Sequence, residues 1–329
     1  MRILVVTNMY PTEEDPSYGI FVRDHVESLR AHRITVDVFF TNGRESRSAY
    51  ISRLAALAKT LRGEEYALIH AQHSYCMFQL AAVRPVVGAM PPVVFTIHEG
   101  EALSTHRSTL WQDSFLKVFA YSKRIKKYAL RMADKVVSVE ERLPRAVGFT
   151  GAFSVIPPGV DTSLFRPMDR MQCRSSLGLP AAEKIAFFPA DPSRLGKGFA
   201  LLQKALDCSG INIRVVAAGR LQHEAMPKYM NAADIVVQTS AFEASPMVVK
   251  EAMACNRPIV CTDVGDVRAL FGRTGGCFIA LVDPRDIGEK ISMALGSIGA
   301  QGRSRLLELG LDLGHTTRKY LDVYKAIAA

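Results

Sequence analysis

Two glutamates form the most distinctive chemical pattern in the sequence. Glu243 and Glu251 flank the start of a predicted helix, and the apolar run Asp234–Gln238 precedes them as a predicted strand. The first turn of a helix leaves backbone N–H groups that favour an anion such as a phosphate. Carboxylates on either side of a phosphate can accept hydrogen bonds from sugar hydroxyls. The pattern is compatible with a sugar-phosphate site, but two glutamates at this spacing are by themselves more often a helix-start acid followed by a solvent-facing one.

Two cations follow another predicted strand. Arg194 and Lys197 come shortly after the apolar run Ile185–Pro189. Positive side chains placed there can neutralise a diphosphate as its charge develops, and electrostatic stabilisation of this kind is usually the largest catalytic contribution. The structural alternative is an ordinary basic turn that opens a helix.

Further candidate residues follow the strands of the first half. His73 comes after Leu68–His70, and His98 comes after Val93–Ile97. A histidine there can contact a bound substrate, whereas a neutral histidine often serves instead as an internal hydrogen-bonding or capping group. Gly19 lies in the first loop, where the absence of Cβ lets the backbone approach a phosphate or simply permits a turn.

The elements that position these residues alternate along the whole chain. Apolar strand-like runs and helix-period patterns follow one another, which predicts parallel strands with crossover helices, an α/β fold. The predicted strands are Ile3–Thr7, Ile34–Phe40, Leu68–His70, Val93–Ile97, Val136–Val139, Ile185–Pro189, Ile211–Ala217, Asp234–Gln238, Ile259–Cys261 and Phe278–Leu281. The predicted helices include Ile51–Leu61, Phe199–Leu206, Met247–Met253, Asp286–Leu295 and Thr316–Ala328. Ligands of such sheets bind outside the carboxyl ends of the strands, which the candidate residues follow.

The length and one proline-rich segment predict two domains. The chain has 329 residues, and a domain averages roughly 150 residues. The segment Ile156–Asp161, rich in proline and glycine, is typical of a strand end followed by a rigid turn. We therefore expect a first domain over residues 1–160, a second over 161–312, and a C-terminal helix over 313–329.

Charge and cysteine content narrow the class of protein. The formal net charge of +9 predicts an anionic partner, such as a nucleotide, a phosphosugar, a membrane surface or a nucleic acid. The six cysteines include no C-x-x-C pair, which favours core thiols in a reducing compartment over a zinc site. The sequence shows no signal-peptide pattern and no convincing membrane span, so we expect a cytoplasmic protein.

Several enzyme classes lack their motifs in this sequence. No G-x-G-x-x-G follows a strand, and neither G-x-x-x-x-G-K-[ST] nor H-E-x-x-H occurs. Dinucleotide oxidoreductases are therefore poorly supported, and P-loop NTPases are excluded. No D-x-D motif occurs where a metal-dependent transferase would need one.

The segment around the two glutamates resembles the donor-binding core of the retaining glycosyltransferases of family 4, which have the GT-B fold. Glu243 and Glu251 meet the E-x7-E pattern of that family, and the run Ala252–Val260 resembles the helix and strand that follow it. Thr262–Asp266 resembles the next loop. The resemblance extends to the family's first strand-to-helix loop, its interdomain strand-turn and its last helix, in Tyr10–Val22, Ile156–Phe165 and Arg318–Tyr324.

This resemblance implies two Rossmann-like doubly wound domains that face a central cleft, with a C-terminal helix that crosses back to the first domain. It implies an enzyme that moves a sugar from a nucleotide diphosphate sugar to an acceptor hydroxyl with retention. In the front-face mechanism of the family, the departing phosphate oxygen takes the acceptor proton while Arg194 and Lys197 hold the diphosphate. No cofactor or metal is then required. A UDP-sugar is the favoured donor, and GDP-mannose is the alternative.

The resemblance also assigns roles to individual residues. Glu251 would accept ribose hydroxyls, whereas Glu243 and His98 would contact the transferred sugar. The expected catalytic residues are Arg194, Lys197, His98 and Glu243. The expected donor-binding residues are Gly19, Gly219, Glu243, Ala244, Ser245, Pro246, Met247, Val248 and Glu251. The expected acceptor residues are His73, Glu99 and Glu101.

One part of the motif departs from the family. Small glycines and a phenylalanine often follow the first glutamate, whereas this chain has Ser245, Pro246 and Met247. The departure bears on the identity of the donor sugar rather than on the class of reaction.

Residues 104–135 form a basic and aromatic segment. It holds eight lysines and arginines against two aspartates, and its interleaved aromatic residues include Trp111, Phe115, Phe119 and Tyr121. Family members that use lipid-linked acceptors carry such surfaces on the first domain, so peripheral contact with the inner face of a membrane is one interpretation of the segment. The structural alternative is a solvated helix face. No nucleic-acid-binding motif accompanies the segment, so we expect no nucleic-acid partner.

Three other functions remain open from the sequence. A nucleotide-sugar epimerase or hydrolase of GT-B fold would release free nucleotide without an acceptor. A non-catalytic sugar-nucleotide-binding subunit would bind donor only, although the intact glutamates and cations argue against it. A basic scaffold would bind membranes or nucleic acid through charge, and raised salt would weaken that binding.

Overall fold

The computed structural model describes residues 1–98, 122–219, 221–297 and 299–328 of the chain. The chain divides into two compact units. The first unit comprises Met1–Glu13, Tyr18–Gly159 and Gly314–Ala329, and the second comprises Glu14–Ser17 and Val160–Leu313.

Each unit is built on one parallel β-sheet. The strands of the first are β1 (Arg2–Thr7), β2 (Thr35–Phe40), β3 (Leu68–Ala71), β4 (Val93–Ile97), β5 (Lys135–Ser138) and β6 (Ser154–Val155). Those of the second are β7 (Ile185–Phe188), β8 (Arg214–Ala217), β9 (Ile235–Gln238), β10 (Ile259–Thr262) and β11 (Cys277–Ala280). The strand order is β2-β1-β3-β4-β5-β6 in the first sheet and β11-β10-β9-β7-β8 in the second. The two Rossmann-like α/β sheets predicted from the alternating pattern are thereby confirmed.

Helices connect the strands and cover the sheets. Those of the first half are α1 (Ile20–Ala31), α2 (Ala49–Ser52), α3 (Leu54–Gly63), α4 (Ser74–Val87), α5 (Lys123–Arg131) and α6 (Arg142–Ala146). Those of the second half are α7 (Arg170–Ser176), α8 (Phe199–Ser209), α9 (Met226–Ala232), α10 (Met247–Ala254), α11 (Val267–Phe271), α12 (Pro284–Gly296), α13 (Gly302–Glu308) and α14 (Leu313–Ala328). Short 3-10 turns occur at Leu195–Lys197 and His223–Ala225.

The first sheet is covered on both faces. Ile3, Leu4, Val5 and Val6 of β1 are all fully buried, although successive side chains of a strand point to opposite faces. The C-terminal helix α14 contributes Tyr320 and Tyr324 to the same hydrophobic cluster as Ile3 and Val5. Their spacing of one helical turn places both rings on one face of α14, so this helix is part of the first unit's core.

The second sheet has a topological switch point, where a ligand site is expected. Its strand order changes direction between β7 and β9, which lie side by side. A doubly wound sheet binds ligands at this switch point, outside the carboxyl ends of the strands. Every residue of β7, β9 and β10 is buried, so the loops that follow them start from a rigid base.

Several predicted elements differ from the structure in their bounds, and for two of them the structure gives the reason. The predicted helix Ile51–Leu61 is interrupted at Arg53, whose φ of −88° and ψ of 0° lie outside the helical region, so α2 and α3 are separate. The predicted strand Ile211–Ala217 begins only at Arg214, opposite Ile185, because its first residues have no partner in the ladder. Ile211 nevertheless packs against the core, which explains its apolar character.

Candidate functional site

The loops that follow β7 and β9 are bonded to each other at the switch point. The Ala241 backbone N–H donates to the carbonyl of Gly196 at 3.0 Å. The Thr239 hydroxyl donates to the carbonyl of Gly198 at 2.8 Å. These bonds hold the loop that carries Arg194 and Lys197 against the loop that carries Glu243.

Gly198 makes this close approach possible. Its φ is +76°, and a Cβ built there would lie 2.0 Å from the carbonyl oxygen of Thr239. Only glycine adopts that conformation without strain and leaves that space empty. Gly198 also precedes α8, so it ends the loop that carries the two cations.

Lys197 and Glu243, two of the predicted site residues, form an ion pair in the structure. Lys197 Nζ lies 2.5 Å from Glu243 Oε1, and Gln238 Nε2 donates to the same oxygen at 3.2 Å. Both side chains of the ion pair are partly exposed. An ammonium group has three N–H donors, so Lys197 can keep Glu243 and still donate to a ligand.

Arg194, the second predicted cation, is more exposed than Lys197. The Arg194 backbone N–H donates to the Asp191 carbonyl at 3.1 Å. The guanidinium is thus placed by the same loop as Lys197 but does not take part in the ion pair with Glu243.

The residues after Glu243 are braced against the loop that follows β10. The Asp266 backbone N–H donates to the Ala244 carbonyl at 3.1 Å. Gly265 has a φ of +55°, and a Cβ there would lie 2.1 Å from the oxygen of Ala244. The Ser245 hydroxyl donates to Asp266 Oδ2 at 2.5 Å. Ser245, where the sequence departs from the family pattern, is therefore hydrogen-bonded to the loop that follows β10.

Lys250 is a further member of this cluster and was not among the predicted site residues. It is fully buried in α10, and its Nζ donates to the Ser245 hydroxyl at 2.6 Å. Burial lowers the pKa of Lys250 to about 8, although Asp266 and Glu251 act in the opposite direction. Lys250 could have been found from the sequence as a lysine in the otherwise apolar first turns of the helix. A buried lysine needs acidic or hydroxyl partners, so its position points to such partners nearby.

Helix α10 begins directly after this braced loop. Pro246 precedes the helix and supplies no side-chain cap. The first N–H groups of a helix have no intrahelical acceptor. The N–H groups of Met247 and Val248 therefore lie at a helix N-terminus, which favours an anion. Ala244 and Pro246 are buried beside it, whereas Ser245, Met247 and Val248 are half-buried.

Glu251 lies on the second turn of α10 and is buried. Its Oε1 is 3.0 Å from His223 Nε2, and its Oε2 is buried with no hydrogen-bond partner among the residues that the structure describes. No sequence pattern connects His223 with Glu251, since His223 comes 28 residues earlier, on the turn that follows β8.

Gly219 also follows β8. It has a φ of +55°, and its backbone N–H donates to the Ala190 carbonyl at 3.3 Å. This bond ties the end of β8 to the end of β7 at the carboxyl edge of the sheet.

In the first unit, the two candidate histidines follow adjacent strands. His98 Nε2 donates to the Gln72 side-chain carbonyl at 2.7 Å, and its ring lies 4.8 Å from that of Phe21. His73 Nδ1 accepts a bond from the Tyr75 backbone N–H at 3.2 Å and thereby caps α4. The capping role that was the structural alternative for a histidine is therefore present at His73.

Gln72 also contacts a buried hydrogen-bonded network. The Tyr324 hydroxyl is 2.6 Å from His70 Nδ1 and 3.0 Å from His25 Nε2. His70 Nε2 is 2.7 Å from the hydroxyl of Thr96, and the Gln72 amide contacts the His70 ring at 3.2 Å. The network thus links α14 to the strands that carry the candidate histidines.

Gly19 begins α1 with a φ of +69°. A Cβ there would lie 2.3 Å from the carbonyl carbon of Met9, so the fold itself requires glycine at this position.

Some candidates lie outside the described residues. These are Glu99, Glu101 and residues 104–121 of the basic segment. In the part of the segment that is described, Lys123, Arg124, Tyr128 and Arg131 of α5 are exposed. The helices of the described ranges include none that is long and apolar enough to cross a membrane. The same ranges contain no group of three His, Cys, Asp or Glu side chains placed to hold a metal ion.

The chain is similar to known proteins along most of its length. Residues 2–164 match the family described as Glycosyltransferase Family 4, and residues 194–297 match the family described as Glycosyl transferases group 1. TuaC of Bacillus subtilis, whose name assigns it to teichuronic acid biosynthesis, is 24% identical over 83% of this chain and 84% of that protein. D-inositol 3-phosphate glycosyltransferase of Mycobacterium bovis is 29% identical over 48% of this chain and 39% of its own length.

Solved structures share the fold. Sucrose-phosphate synthase from Thermosynechococcus elongatus has a TM-score of 0.82 and 20% identity, covering 99% of this chain and 98% of that one. HepE from Anabaena, in complex with UDP and glucose, has a TM-score of 0.71 and 17% identity, covering 99% of this chain and 100% of that one. The expected fold family is confirmed by these similarities together.

Proposed function

The chain belongs to the family 4 glycosyltransferases with the GT-B fold, and from this membership we propose that it transfers a hexose from a nucleotide diphosphate sugar to an acceptor hydroxyl with retention of configuration. The observation that carries the proposal is the contact between Lys197 and Glu243 at the switch point of the second sheet. It joins a cation suited to a phosphate and a carboxylate suited to a sugar hydroxyl at one place.

We assign the departing nucleotide diphosphate to the two cations. Lys197, held by Glu243, would donate to the leaving phosphate, and the exposed Arg194 would move to it from the same loop. Charge develops on that phosphate as the sugar leaves, so cations there stabilise the transition state more than the ground state. In this front-face reaction the bond from the sugar to the phosphate oxygen breaks, the acceptor oxygen bonds to the sugar on the same face, and the departing phosphate oxygen takes the acceptor proton. The two cations stabilise the leaving group in place of a metal ion.

We assign the rest of the donor to the neighbouring loops and to α10. The helix start at Met247 and Val248, with Ala244, Ser245 and Pro246 before it, would receive the phosphates and the sugar. Glu251 would accept ribose hydroxyls, and Gly219 would leave room for the nucleotide at the end of β8. A UDP-sugar is the favoured donor, with GDP-mannose as the alternative; the HepE structure with UDP and glucose supports the former.

The first unit supplies the remaining candidates of the proposal. His98 would contact the transferred sugar, and Gly19 would approach the donor phosphates, by resemblance to the family. His73, Glu99 and Glu101 would contact the acceptor hydroxyl compound. His73 would combine this contact with its role as the cap of α4, which it fills through Nδ1.

We also propose a cytoplasmic enzyme that touches the inner face of a membrane through the basic segment 104–135. The exposed cations of α5 support this part. Vesicles with anionic lipid should retain the protein at low salt, and neutral vesicles should not. Equal retention by both vesicles would contradict a charge-driven contact.

The first experiment is thermal unfolding with UDP, GDP, ADP and TDP and their sugars, each with and without EDTA. A ligand at 100 times its dissociation constant stabilises the folded state by about 2.7 kcal/mol, which is readily measured. We expect one nucleotide to stand out, with the same shift in EDTA. Turnover of its sugar nucleotide with candidate acceptors, followed by NMR of the anomeric proton, then tests retention. No shift with any nucleotide would contradict the proposal, and release of free nucleotide without an acceptor product would indicate a hydrolase.

Glu251→Gln provides the site-specific test. The change removes the charge that strengthens a bond from a hydroxyl, so nucleotide affinity should fall by about tenfold or more. Isothermal titration calorimetry measures it directly. Glu289→Gln is the matched control, because Glu289 is exposed on α12 and its side chain is 67% accessible. Equal affinity in both variants would remove Glu251 from the site.

A further inference from the structure

The two carboxylate oxygens of Glu251 differ in their hydrogen bonding. Its side chain is 3% exposed, and Oε1 accepts a hydrogen bond from His223 Nε2 at 3.0 Å. Oε2 is buried, and within the described ranges nothing donates to it. A buried polar atom without a partner costs free energy, so this oxygen is suited to a donor that arrives with a ligand.

His223 is placed so that it fixes the carboxylate from outside the helix. A carboxylate oxygen only accepts, so Nε2 of His223 carries the proton of this bond. The His223 side chain is 8% exposed, and its ring lies 5.1 Å from the ring of Phe165. Packing therefore limits the rotation of the imidazole, and the imidazole limits the rotation of the carboxylate.

We propose that His223 is a positioning residue for nucleotide recognition, which holds Glu251 Oε1 so that Oε2 accepts a ribose hydroxyl. The inference rests on the proposed function and deepens it, because it names the residue that makes the site select ribonucleotides. A hydroxyl that donates to a fixed carboxylate makes a charge-assisted bond. A deoxyribonucleotide that lacks this hydroxyl leaves Oε2 unpartnered.

A purely structural role for the same contact predicts a different outcome. If His223 only anchors α10 to the turn after β8, its replacement lowers stability and weakens all nucleotides alike. If it positions the carboxylate, its replacement lowers the preference for ribose over deoxyribose. The ratio of two affinities therefore separates the two roles.

The experiment uses two variants that carry the same amide group on side chains of different length. In His223→Gln the amide nitrogen stands about where Nε2 was, whereas in His223→Asn it stands nearer the backbone and cannot reach Glu251. Calorimetry measures the dissociation constants of UDP, GDP and their 2′-deoxy and 3′-deoxy forms with the full chain. Thermal unfolding of each variant reports stability separately.

We expect the natural protein to prefer the ribonucleotide by about tenfold or more over one of the deoxy forms. His223→Gln should keep most of this preference, and His223→Asn should reduce it to about threefold or less, with unfolding midpoints that do not follow the same order.

Three results would overturn the inference. The first is an unchanged preference in His223→Asn, and the second is an equal loss in both variants. The third is a natural protein that binds ribo- and deoxyribonucleotides equally. If the natural protein binds none of these nucleotides, the proposed function itself fails, and that outcome is distinguished from the others by the absence of any binding.

Discussion

The charge pair of Lys197 and Glu243 matters more for chemistry than for stability. The two side chains are 26% and 20% exposed, and an ion pair in contact with solvent contributes on the order of 1 kcal/mol or less to folding. The pair nevertheless places a cation and a carboxylate within 2.5 Å at the switch point. A substitution there should therefore alter the reaction while leaving the fold intact.

We expect Lys197→Ala to lower kcat by about 100- to 1,000-fold, because the cation acts on charge that appears only as the phosphate leaves. The dissociation constant of the free nucleotide diphosphate should rise by less than about tenfold, since Arg194 and the start of α10 remain. Steady-state kinetics and calorimetry measure the two quantities.

Lys204→Ala is the matched control for this experiment. Lys204 is exposed on α8, so the variant loses the same charge from the same unit outside the site. It should change neither kcat nor nucleotide affinity. If Lys197→Ala behaved in the same way, or lost affinity as much as turnover, the proposed role in the departure of the phosphate would be wrong.

At the scale of elements, two glycine contacts set the geometry of the site. Gly198 lets the loop after β7 meet the loop after β9, and Gly265 lets the loop after β10 meet Ala244. In each case a backbone oxygen, which cannot rotate away, occupies the space of the missing Cβ. The positions of Lys197, Glu243 and Ser245 thus depend on contacts between loops rather than on any one of them.

Gly198→Ala should destabilise the second unit by about 2–5 kcal/mol, the sum of a left-handed backbone conformation and of overpacking against Thr239. Urea unfolding followed by circular dichroism measures the loss. Gly196→Ala is a matched control two positions earlier, because its Cβ would meet only the Phe242 ring, at 3.7 Å. A similar unfolding midpoint for the two variants would show that the loop adjusts freely.

At the scale of the whole molecule, each unit has its own core, and the first contains a buried hydrogen-bonded network. His25, His70 and Tyr324 come from α1, β3 and α14, which are far apart in the chain. Desolvation lowers the pKa of His25 to about 4. Desolvation, with the nearby His25 and His98, lowers the pKa of His70 well below its ordinary value. The folded protein therefore keeps both imidazoles neutral where an unfolded chain would protonate them.

This network predicts a loss of stability in mild acid. The unfolded chain takes up protons below a pH of about 6.5, whereas the folded protein does not until near pH 4. The stabilisation is fully present above about pH 6.5 and falls as the pH decreases, by up to about 1.4 kcal/mol per pH unit for each histidine. Urea midpoints at pH 7.5, 6.0 and 5.0 test it.

His25→Gln should make this pH dependence shallower, because one titrating group is removed from the network. His315→Gln replaces an exposed histidine on α14 and should leave the dependence unchanged. Identical slopes in both variants and the natural protein would mean that other groups, such as carboxylates, govern the acid response.

The sequence by itself determined the fold class and the reaction family. Apolar runs bounded by turns identify buried parallel strands, and the spacing of Glu243 and Glu251 around a helix start is a local property of the chain. The strand of Val93–Ile97 was predicted with its observed bounds, because all five of its residues are buried and Thr96 is the only polar residue among them. Family membership follows from the same local patterns.

Only the tertiary structure decided which side chains act on one another. It paired Glu251 with His223 and His98 with Gln72, which are 28 and 26 residues apart in the chain. It also placed Lys197 against Glu243 and left Arg194 exposed, although the sequence treats the two cations alike. The physical reason is that these contacts depend on the order of strands in a sheet and on the close approach of loops at glycine. Both are set by the packing of the whole unit rather than by neighbours in the chain.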